Sequence, residues 1–389
     1  MRLPRTFAAK AGVVFLTGAV VFAASEFALR QWFHAVPQLD LDLYERDAQG
    51  NLRLRPGVER RHVSRLWDVL IHINSEGWRD REPEPGAELP NVLGLGDSMA
   101  FGWGVEQQQS FLSLLEERLD RERPMRLVKA AVPGTGTSDQ ARLLETLWPA
   151  YDPRAVILCF FVGNDFVDVQ MGGAAQFDVE NGLLSRRPLG NQPVSWWQTG
   201  SGLARRSHLL QLMRAVQLNW SRADSPSPAA QDLPPRRWDE WLREFAQIHR
   251  KKFPERTARA AEQTLRHLDE ILELCRSRAV PFLLLIIPRS YQVYPEEQAE
   301  LLAALEVSEA DLDLDRPQRL LAEWASARGV PAVDLLPAFR VYTGKNPGTQ
   351  LYFRPDAHLN STGHRLAAET IYSDPLAMRA IREALNKSL

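Results

Sequence analysis

A serine follows the first long apolar run of the chain, at the point where a strand should give way to a helix. The run covers Val92 to Leu95, and Gly96-Asp97-Ser98 interrupts it just before leucines at helical spacing. A serine at such a turn projects its hydroxyl from the carboxyl edge of a sheet, where open α/β sheets bind ligands. Taken alone, Ser98 is as consistent with an ordinary helix N-cap as with a nucleophile.

Three further blocks at the ends of apolar runs carry groups that suit the same chemistry. The glycine-rich turn Ala130 to Gly136 can direct a backbone N–H toward the serine, and Val162 to Asp165 contains a side-chain amide. The block Arg354 to Asn360 supplies a carboxylate and an imidazole. Because the carboxyl ends of parallel strands share one edge of a sheet, we expect the blocks to converge. The groups concerned are Ser98, Gly134, Asn164, Asp356 and His358.

Each of these groups has a task in acyl transfer. We predict Ser98 as the nucleophile, His358 as the general base and Asp356 as the carboxylate that orients the imidazole. The backbone N–H groups of Ser98 and Gly134, with the side chain of Asn164, are predicted to form an oxyanion hole. One such donor is typically worth about 10² to 10³ in rate. This chemistry requires no cofactor and no metal ion.

Other polar residues near these blocks are given supporting roles. His364 is an alternative base, but it is expected in the first turn of the last helix, and His358 in a loop is favoured. Asp97 and Asp165 are expected to anchor their turns by hydrogen bonds. Arg289, just past the fourth strand, is either a ligand for an anionic substrate group or a surface residue.

Strands and helices alternate from Val92 onward, which predicts parallel strands joined by crossover helices. Two long apolar runs, Val156 to Phe161 and Phe282 to Ile287, indicate strands buried on both faces. We therefore predict an α/β fold with a five-stranded parallel sheet covered by helices on both sides. The predicted strands are Val92–Leu95, Leu127–Val132, Ala155–Val162, Pro281–Ile287 and Pro331–Leu335.

One connection is far too long for a simple crossover, because about 90 residues separate Asp165 from the next amphipathic helix, against a usual few. Residues 166–257 are therefore predicted to form an insertion in a domain that spans residues 91–389. Its tryptophans are expected to pack the insertion onto its host, with sugar stacking as the less favoured alternative. The insertion contains Trp196-Trp197, an expected helix at Leu209–Leu218, a flexible tract at Ser221–Pro235, and Trp238 with Trp241.

The N-terminus carries a basic flank followed by an uncharged apolar run from Ala11 to Ser25. This pattern predicts an export signal or a membrane anchor over residues 1–33. Ala23-Ala24-Ser25 suits a signal peptidase, whereas the basic flank suits an uncleaved anchor with its N-terminus in the cytoplasm. In both cases we expect the bulk of the chain outside the cytoplasmic membrane, tethered in the periplasm or exported.

Residues 34–90 are predicted to be an extended lead-in to the main domain. A hairpin is expected between Leu43–Arg46 and Leu52–Leu54, and Val69–Ile73 is strand-like. The turn that follows contains Arg79 and Asp80. These two residues are expected to pack the turn against the main domain, although contact with substrate is an alternative.

Composition excludes several classes of function. The 389 residues include 47 Lys and Arg against 49 Asp and Glu, so no overall field attracts nucleic acid, and the basic clusters are scattered. The two cysteines, Cys159 and Cys275, are expected to be buried free thiols. No His, Asp or Glu cluster has the spacing of a metal site, which disfavours a metal-dependent hydrolase. The sequence leaves the oligomeric state open.

The blocks around Ser98, Gly134, Asn164 and His358 resemble the four signature blocks of the SGNH or GDSL hydrolases, over Val92 to about Leu366. The resemblance implies a flavodoxin-like sheet of order 2-1-3-4-5 and a serine esterase, lipase or carbohydrate acyl-transfer activity. The N-terminal anchor and the turn before Asp80 are similar to membrane-tethered bacterial members. An α/β-hydrolase elbow is disfavoured, because Ser98 is followed by Met and Ala where that elbow has a glycine.

Two departures from the family pattern stand in the sequence. Asp356 precedes His358 by two residues, where the family usually has three, a spacing that resembles the alginate-type O-acetyltransferases. Lys129 and Ala131 occupy positions where tethered members often carry Asn and Gly, but Gly134 is retained.

The functional hypothesis from sequence is an anchored or exported serine enzyme. It would cleave or transfer a small acyl group, with acetyl favoured, on a cell-envelope carbohydrate or on a lipid. Hydrolysis and transfer use the same site and differ only in the acceptor. The alternative from another class is a catalytically silent envelope protein that binds glycan or a polysaccharide-synthesis complex.

Overall fold

The computed structural model describes residues 5–32, 41–64, 66–86, 89–186, 207–213, 243–354 and 356–386. Helix α1 (Arg5–Trp32) comes first and is followed by two antiparallel hairpins. The first pairs β1 (Tyr44–Arg46) with β2 (Leu52–Leu54), as the sequence predicts. The second pairs β3 (Glu59–Val63) with β4 (Asp68–His72), and sequence analysis identified only the β4 half of it.

A parallel five-stranded sheet forms the centre of the main domain. Its spatial order, written in the chain order of its own strands, is 2-1-3-4-5, so the predicted flavodoxin-like α/β arrangement is confirmed. Strands 1 to 5 of this sheet are β5, β6, β7, β10 and β11, and a separate hairpin contains β8 and β9. The bounds are β5 (Asn91–Gly96), β6 (Arg126–Ala131), β7 (Ala155–Phe161), β8 (Phe177–Glu180), β9 (Leu183–Arg186), β10 (Phe282–Ile287) and β11 (Ala332–Asp334).

Helices cover both faces of the sheet and bury their apolar sides against it. Every residue of β7 and β10 is buried, as the two long apolar runs predict. Helices α3, α6 and α9 each bury one apolar side. The helices are α2 (Ser98–Phe101), α3 (Phe111–Glu122), α4 (Thr137–Tyr151), α5 (Asp165–Met171), α6 (Glu255–Ser277), α7 (Ser290–Val293), α8 (Pro295–Leu305), α9 (Arg316–Arg328), α10 (Leu336–Lys345), α11 (Ser361–Ser373) and α12 (Pro375–Asn386).

The described parts of the long connection begin with α5 and the β8–β9 hairpin. A helical segment follows at residues 208–213, which is the described part of the helix predicted at Leu209–Leu218. The tryptophans at 196, 197, 238 and 241 and the tract at 221–235 lie outside the described residues. The boundaries proposed at 33, 90, 166 and 257 therefore remain predictions from sequence.

Helix α1 is long and apolar enough to cross a membrane. Its 20-residue segment Gly12–Gln31 has a mean hydropathy of 1.9, and it is the only such segment among the helices that the structure describes. Large apolar side chains such as Phe15 and Val14 are exposed on it. The two cysteines, Cys159 and Cys275, are buried and free, as expected.

Candidate active site

Ser98 lies at the first position of α2, directly after β5. Asp97 caps this short helix by accepting a hydrogen bond of 2.8 Å from the backbone N–H of Met99. Gly96 allows the helix to approach the sheet, because a Cβ there would lie 2.6 Å from the Cβ of Ala100. The serine hydroxyl is thereby held at the carboxyl edge of the sheet, and the N-cap is Asp97 rather than Ser98.

His358 connects Ser98 to Asp356. The Nε2 atom of His358 lies 2.8 Å from the Oγ atom of Ser98, and Asp356 contacts the Nδ1 atom on the other side of the ring. Asp356 also accepts a hydrogen bond of 3.2 Å from the backbone N–H of His358. A spacing of two residues is therefore sufficient for this contact, because the backbone between them turns sharply at Ala357, where φ is +68°. The three side chains form the hydrogen-bonded chain that the sequence predicts.

The surroundings of Asp356 stabilise its ionised form. Burial opposes its ionisation, but the adjacent imidazole and its hydrogen bonds outweigh burial and hold the pKa of Asp356 below its usual range. The positive charge of Arg289 contributes in the same direction. The guanidinium of Arg289 lies 5.7 Å from the centre of the ring of Phe161, the last residue of β7.

Gly134 lies in the turn after β6, beside the start of the serine turn. The two strands end in register, with Gly96 opposite Ala131, and the backbone N–H of Val132 donates to the carbonyl of Gly96 over 3.0 Å. Gly134 has a φ of +85°, which a side chain would strain. A Cβ there would also lie 3.2 Å from the ring of Phe177. The β8–β9 hairpin therefore packs directly on the predicted oxyanion turn.

Asn164 lies beside the serine turn but its amide is already engaged. Its Nδ2 atom donates to Asp97 over 3.0 Å and to Asp168 over 2.8 Å, while its Oδ1 atom is buried and has no hydrogen-bond partner among the described residues. Both amide hydrogens thus face carboxylates. The structure brings Asn164 to the predicted place, and donation to an oxyanion would require one of these two bonds to yield.

Burial shifts the ionisation of two carboxyl groups next to Asn164. Burial raises the pKa of Asp165 well above its usual range, and the negative charges of Asp97 and Asp168 add to this effect. Burial likewise raises the pKa of Asp97, although hydrogen bonds from Met99 and Asn164 oppose it. Asp165 also accepts a bond of 2.7 Å from the N–H of Phe161, so it anchors its turn as predicted.

His364 takes no part in this arrangement. It is buried in α11, accepts a hydrogen bond of 3.2 Å from the N–H of Phe111 and stacks on that ring. Burial lowers its pKa to about 3, so it is a neutral core residue. The expectation of a structural role is met. Helix α11 is not the last helix, however, because α12 follows it.

The turn after β4 is structural, as expected. Arg79 is buried and donates to the carbonyls of Gly102 (2.5 Å) and Val105 (2.6 Å), which fixes the segment that follows Ser98. Burial lowers its pKa to about 10, which still leaves it charged at neutral pH. Asp80 accepts from the buried ammonium of Lys129 over 2.7 Å, and Glu116 contacts the same ammonium. Lys129 thus joins the lead-in region to the sheet.

Three residues near His358 were not identified from sequence. The ring of Trp103 lies 6.3 Å from the ring of His358, and His62 lies 4.7 Å from Trp103 on the other side. Trp67 donates its indole N–H to His62 over 3.1 Å. No spacing pattern links these positions, because His62 and Trp67 belong to a hairpin whose docking the sequence does not encode locally.

The fold and the site together define an ester hydrolase built on a flavodoxin-like sheet. The chain matches two family models of SGNH/GDSL type, each over less than half of its length, and it is an enzyme of the ester-hydrolysing class. The family model for GDSL-like lipases and acylhydrolases matches residues 95–252, and the model for the SGNH hydrolase-like domain of the acetyltransferase AlgX matches residues 238–384. The two matches meet in the long connection and together contain all four sequence blocks.

Solved structures of similar fold are remote in sequence. TesA is 13% identical over 74% of this chain and 99% of its own, with a TM-score of 0.36. The acetyl xylan esterase AlAXEase is 14% identical over 73% and 98%, with a TM-score of 0.39. The esterase EstA from Pseudoalteromonas sp. is 14% identical over 76% and 99%, with a TM-score of 0.34. A comparison with curated proteins finds no match.

Proposed function

We propose that this protein is a membrane-anchored serine enzyme that removes or transfers a small acyl group, namely acetyl, on a carbohydrate outside the cytoplasmic membrane. The observation that carries the proposal is the hydrogen-bonded chain from Ser98 through His358 to Asp356. In this role Ser98 is the nucleophile, His358 the general base and Asp356 the carboxylate that orients the ring.

In the first step the Ser98 Oγ attacks the ester carbonyl and its proton passes to Nε2 of His358. The tetrahedral intermediate collapses, the C–O bond to the leaving alcohol breaks, and that alcohol takes the proton from Nε2. The product is an acyl-Ser98 ester. Asp356 favours this step because its negative charge lies against the imidazolium while the proton is held there.

In the second step water or a sugar hydroxyl gives its proton to His358 and attacks the acyl-Ser98 ester. The bond to Ser98 breaks and Nε2 returns the proton to the serine. Backbone N–H groups of Ser98 and Gly134 would stabilise both oxyanions, and Asn164 would join them by releasing Asp97 or Asp168. Water gives hydrolysis, and a sugar hydroxyl gives a new ester.

Two observations support the finer parts of the proposal. Residues 238–384 match the family model that is named for an acetyltransferase, which supports acetyl as the group and keeps transfer open. Helix α1 carries no charged residue from Ala11 to Ser25, and Glu26, which follows this run, forms an ion pair with Arg30 near the end of the helix. Charges at that position fit the membrane surface, with residues 41 onward beyond it.

The test uses the full chain in detergent with an activated acetyl ester, with and without an oligosaccharide acceptor. We expect acetate release or acetylated sugar from the wild type and neither from Ser98→Ala, while Ser277→Ala, an exposed serine, retains activity. A fluorophosphonate probe should label the wild type and not Ser98→Ala. If wild type releases no acyl group and resists the probe, the proposal is wrong, and a glycan-binding role without catalysis becomes the better hypothesis.

A further inference from the structure

The β3–β4 hairpin of the lead-in region contacts both loops that carry the predicted catalytic groups. Its turn contains Trp67. On the side of the Ser98 loop, Trp67 packs against Gly104, so closely that a Cβ on Gly104 would lie 2.9 Å from the indole ring. On the histidine side Trp67 packs edge to face on Phe353, with ring centres 5.1 Å apart. One side chain therefore spans the two loops.

Phe353 is directly connected to the backbone of His358. Its N–H donates to the carbonyl of His358 over 2.8 Å, and its own carbonyl accepts from Ala357 over 2.8 Å. The loop is thus closed on itself by Phe353, and a shift of this ring would move the histidine backbone. Trp67 holds that ring from outside the loop.

A second path runs from the hairpin to the imidazole itself. His62, in β3, packs edge to face on Trp103, and Trp103 lies next to the ring of His358. The indole N–H of Trp67 donates to Nδ1 of His62, which fixes the His62 tautomer with its proton on Nε2. Burial also lowers the pKa of His62 to about 4, so it packs on Trp103 as a neutral ring.

We infer that His62 and Trp67 are positioning residues for the acyl-transfer reaction, because they hold His358 in place. The β3–β4 hairpin of the lead-in region therefore forms part of the active site. This inference rests on the proposed function, because it concerns the geometry of His358 against Ser98. A misplacement of about 1 Å is enough to cost about 100-fold in rate, so loss of the aromatic support should lower catalysis without removing any reacting group.

The experiment compares substitutions on the hairpin in the full chain. We expect Trp67→Ala to lower kcat and the rate of fluorophosphonate labelling about 10- to 100-fold, with KM changed by less than about threefold. Trp67→Phe keeps the contact with Phe353 and should recover most of kcat. His62→Leu, which removes the acceptor for Trp67, should lower kcat, and His62→Asn, which retains an acceptor, should lower it less.

Arg61→Ala is the matched control, because Arg61 and Asp68 form an exposed ion pair on the same hairpin. It should retain the wild-type kcat. Near-ultraviolet circular dichroism separates unfolded variants from misaligned ones. Wild-type rates in both Trp67→Ala and His62→Leu would overturn the inference, as would a change confined to KM. A wild-type protein that neither turns over ester nor reacts with the probe would overturn the proposed function and this inference together.

Discussion

The Nε2 atom of His358 and the Oγ atom of Ser98 lie 2.8 Å apart although 260 residues separate them in the chain. The sheet produces this contact, because β5 is an inner strand between β6 and β7, and the histidine loop returns to the same edge after β11. Each residue is held by its own turn. Ser98 follows the Asp97 cap, and His358 follows Asp356 within one tight loop.

Asp356→Asn tests the contact between Asp356 and the imidazole of His358. The amide keeps the shape of the side chain but removes the negative charge opposite the imidazolium, so we expect kcat to fall about 10²- to 10⁴-fold with little change in KM. Steady-state kinetics with an activated acetyl ester measure it. Asp313→Asn, at an ion pair before α9, should retain activity. Wild-type kcat in Asp356→Asn would show that His358 needs no carboxylate partner.

Asn164→Ala tests whether the side-chain amide of Asn164 donates a hydrogen bond to the oxyanion. If Asn164 turns one N–H to the oxyanion during reaction, its loss should lower kcat about 10²- to 10³-fold and leave KM within a few-fold. Asp168→Asn weakens the competing bond and should leave at least wild-type kcat. Equal kcat in wild type and Asn164→Ala would assign the oxyanion to backbone N–H groups alone.

The sequence predicted the sheet and the four blocks because both depend on local patterns. Apolar runs and helical stripes locate β7, β10 and α6, and the strand-end rule brings Ser98 and His358 to one edge. What the sequence did not reveal depends on pairs of distant residues. Contacts of this kind leave no periodic pattern in the sequence. They include the pairing of β4 with its partner strand, the packing of His62 on Trp103, and the hydrogen bonds from Asn164 to two carboxylates.

The role of Lys129 also depends on distant partners and could not be predicted from the sequence. From sequence it was only a departure from the family pattern, whereas in the structure its ammonium joins Asp80 to Glu116 inside the protein. Lys129→Met leaves both carboxylates without this cation, and we expect about 3 to 5 kcal/mol lower stability in urea unfolding. Asp80→Asn and Glu116→Gln, added to Lys129→Met, should restore most of it. The exposed control Lys345→Met should match wild type, and a Lys129→Met variant as stable as wild type would contradict the expectation.

Asp165 predicts a pH dependence of stability. Because its pKa is raised in the folded protein, the folded state keeps a proton that the unfolded chain releases above about pH 4. Stability from this group is therefore present at low pH and is lost as pH rises toward the folded pKa, with a slope of up to about 1.4 kcal/mol per pH unit. Asp165→Asn should remove that loss, so the stability of Asp165→Asn relative to wild type, measured by chemical unfolding, should rise as the pH increases from about 4 to neutral. Glu262→Gln, at an exposed ion pair on α6, is the control. A constant difference across this pH range would contradict the raised pKa.

Glu26 connects helix α1 to the long connection. Its carboxylate accepts from the hydroxyl of Ser207 (2.8 Å) and from the N–H groups of His208 and Leu209 (3.0 Å each), so it caps the helical segment at 208–213. Glu26→Ala should cost this segment about 1 kcal/mol, the value of a helix cap, and so raise its opening about fivefold in hydrogen exchange. Gln31→Ala, an exposed change on the same helix, should leave exchange at 207–213 as in wild type. Faster exchange confined to that segment would mean that α1 supports the long connection, and unchanged exchange in Glu26→Ala would mean that it does not.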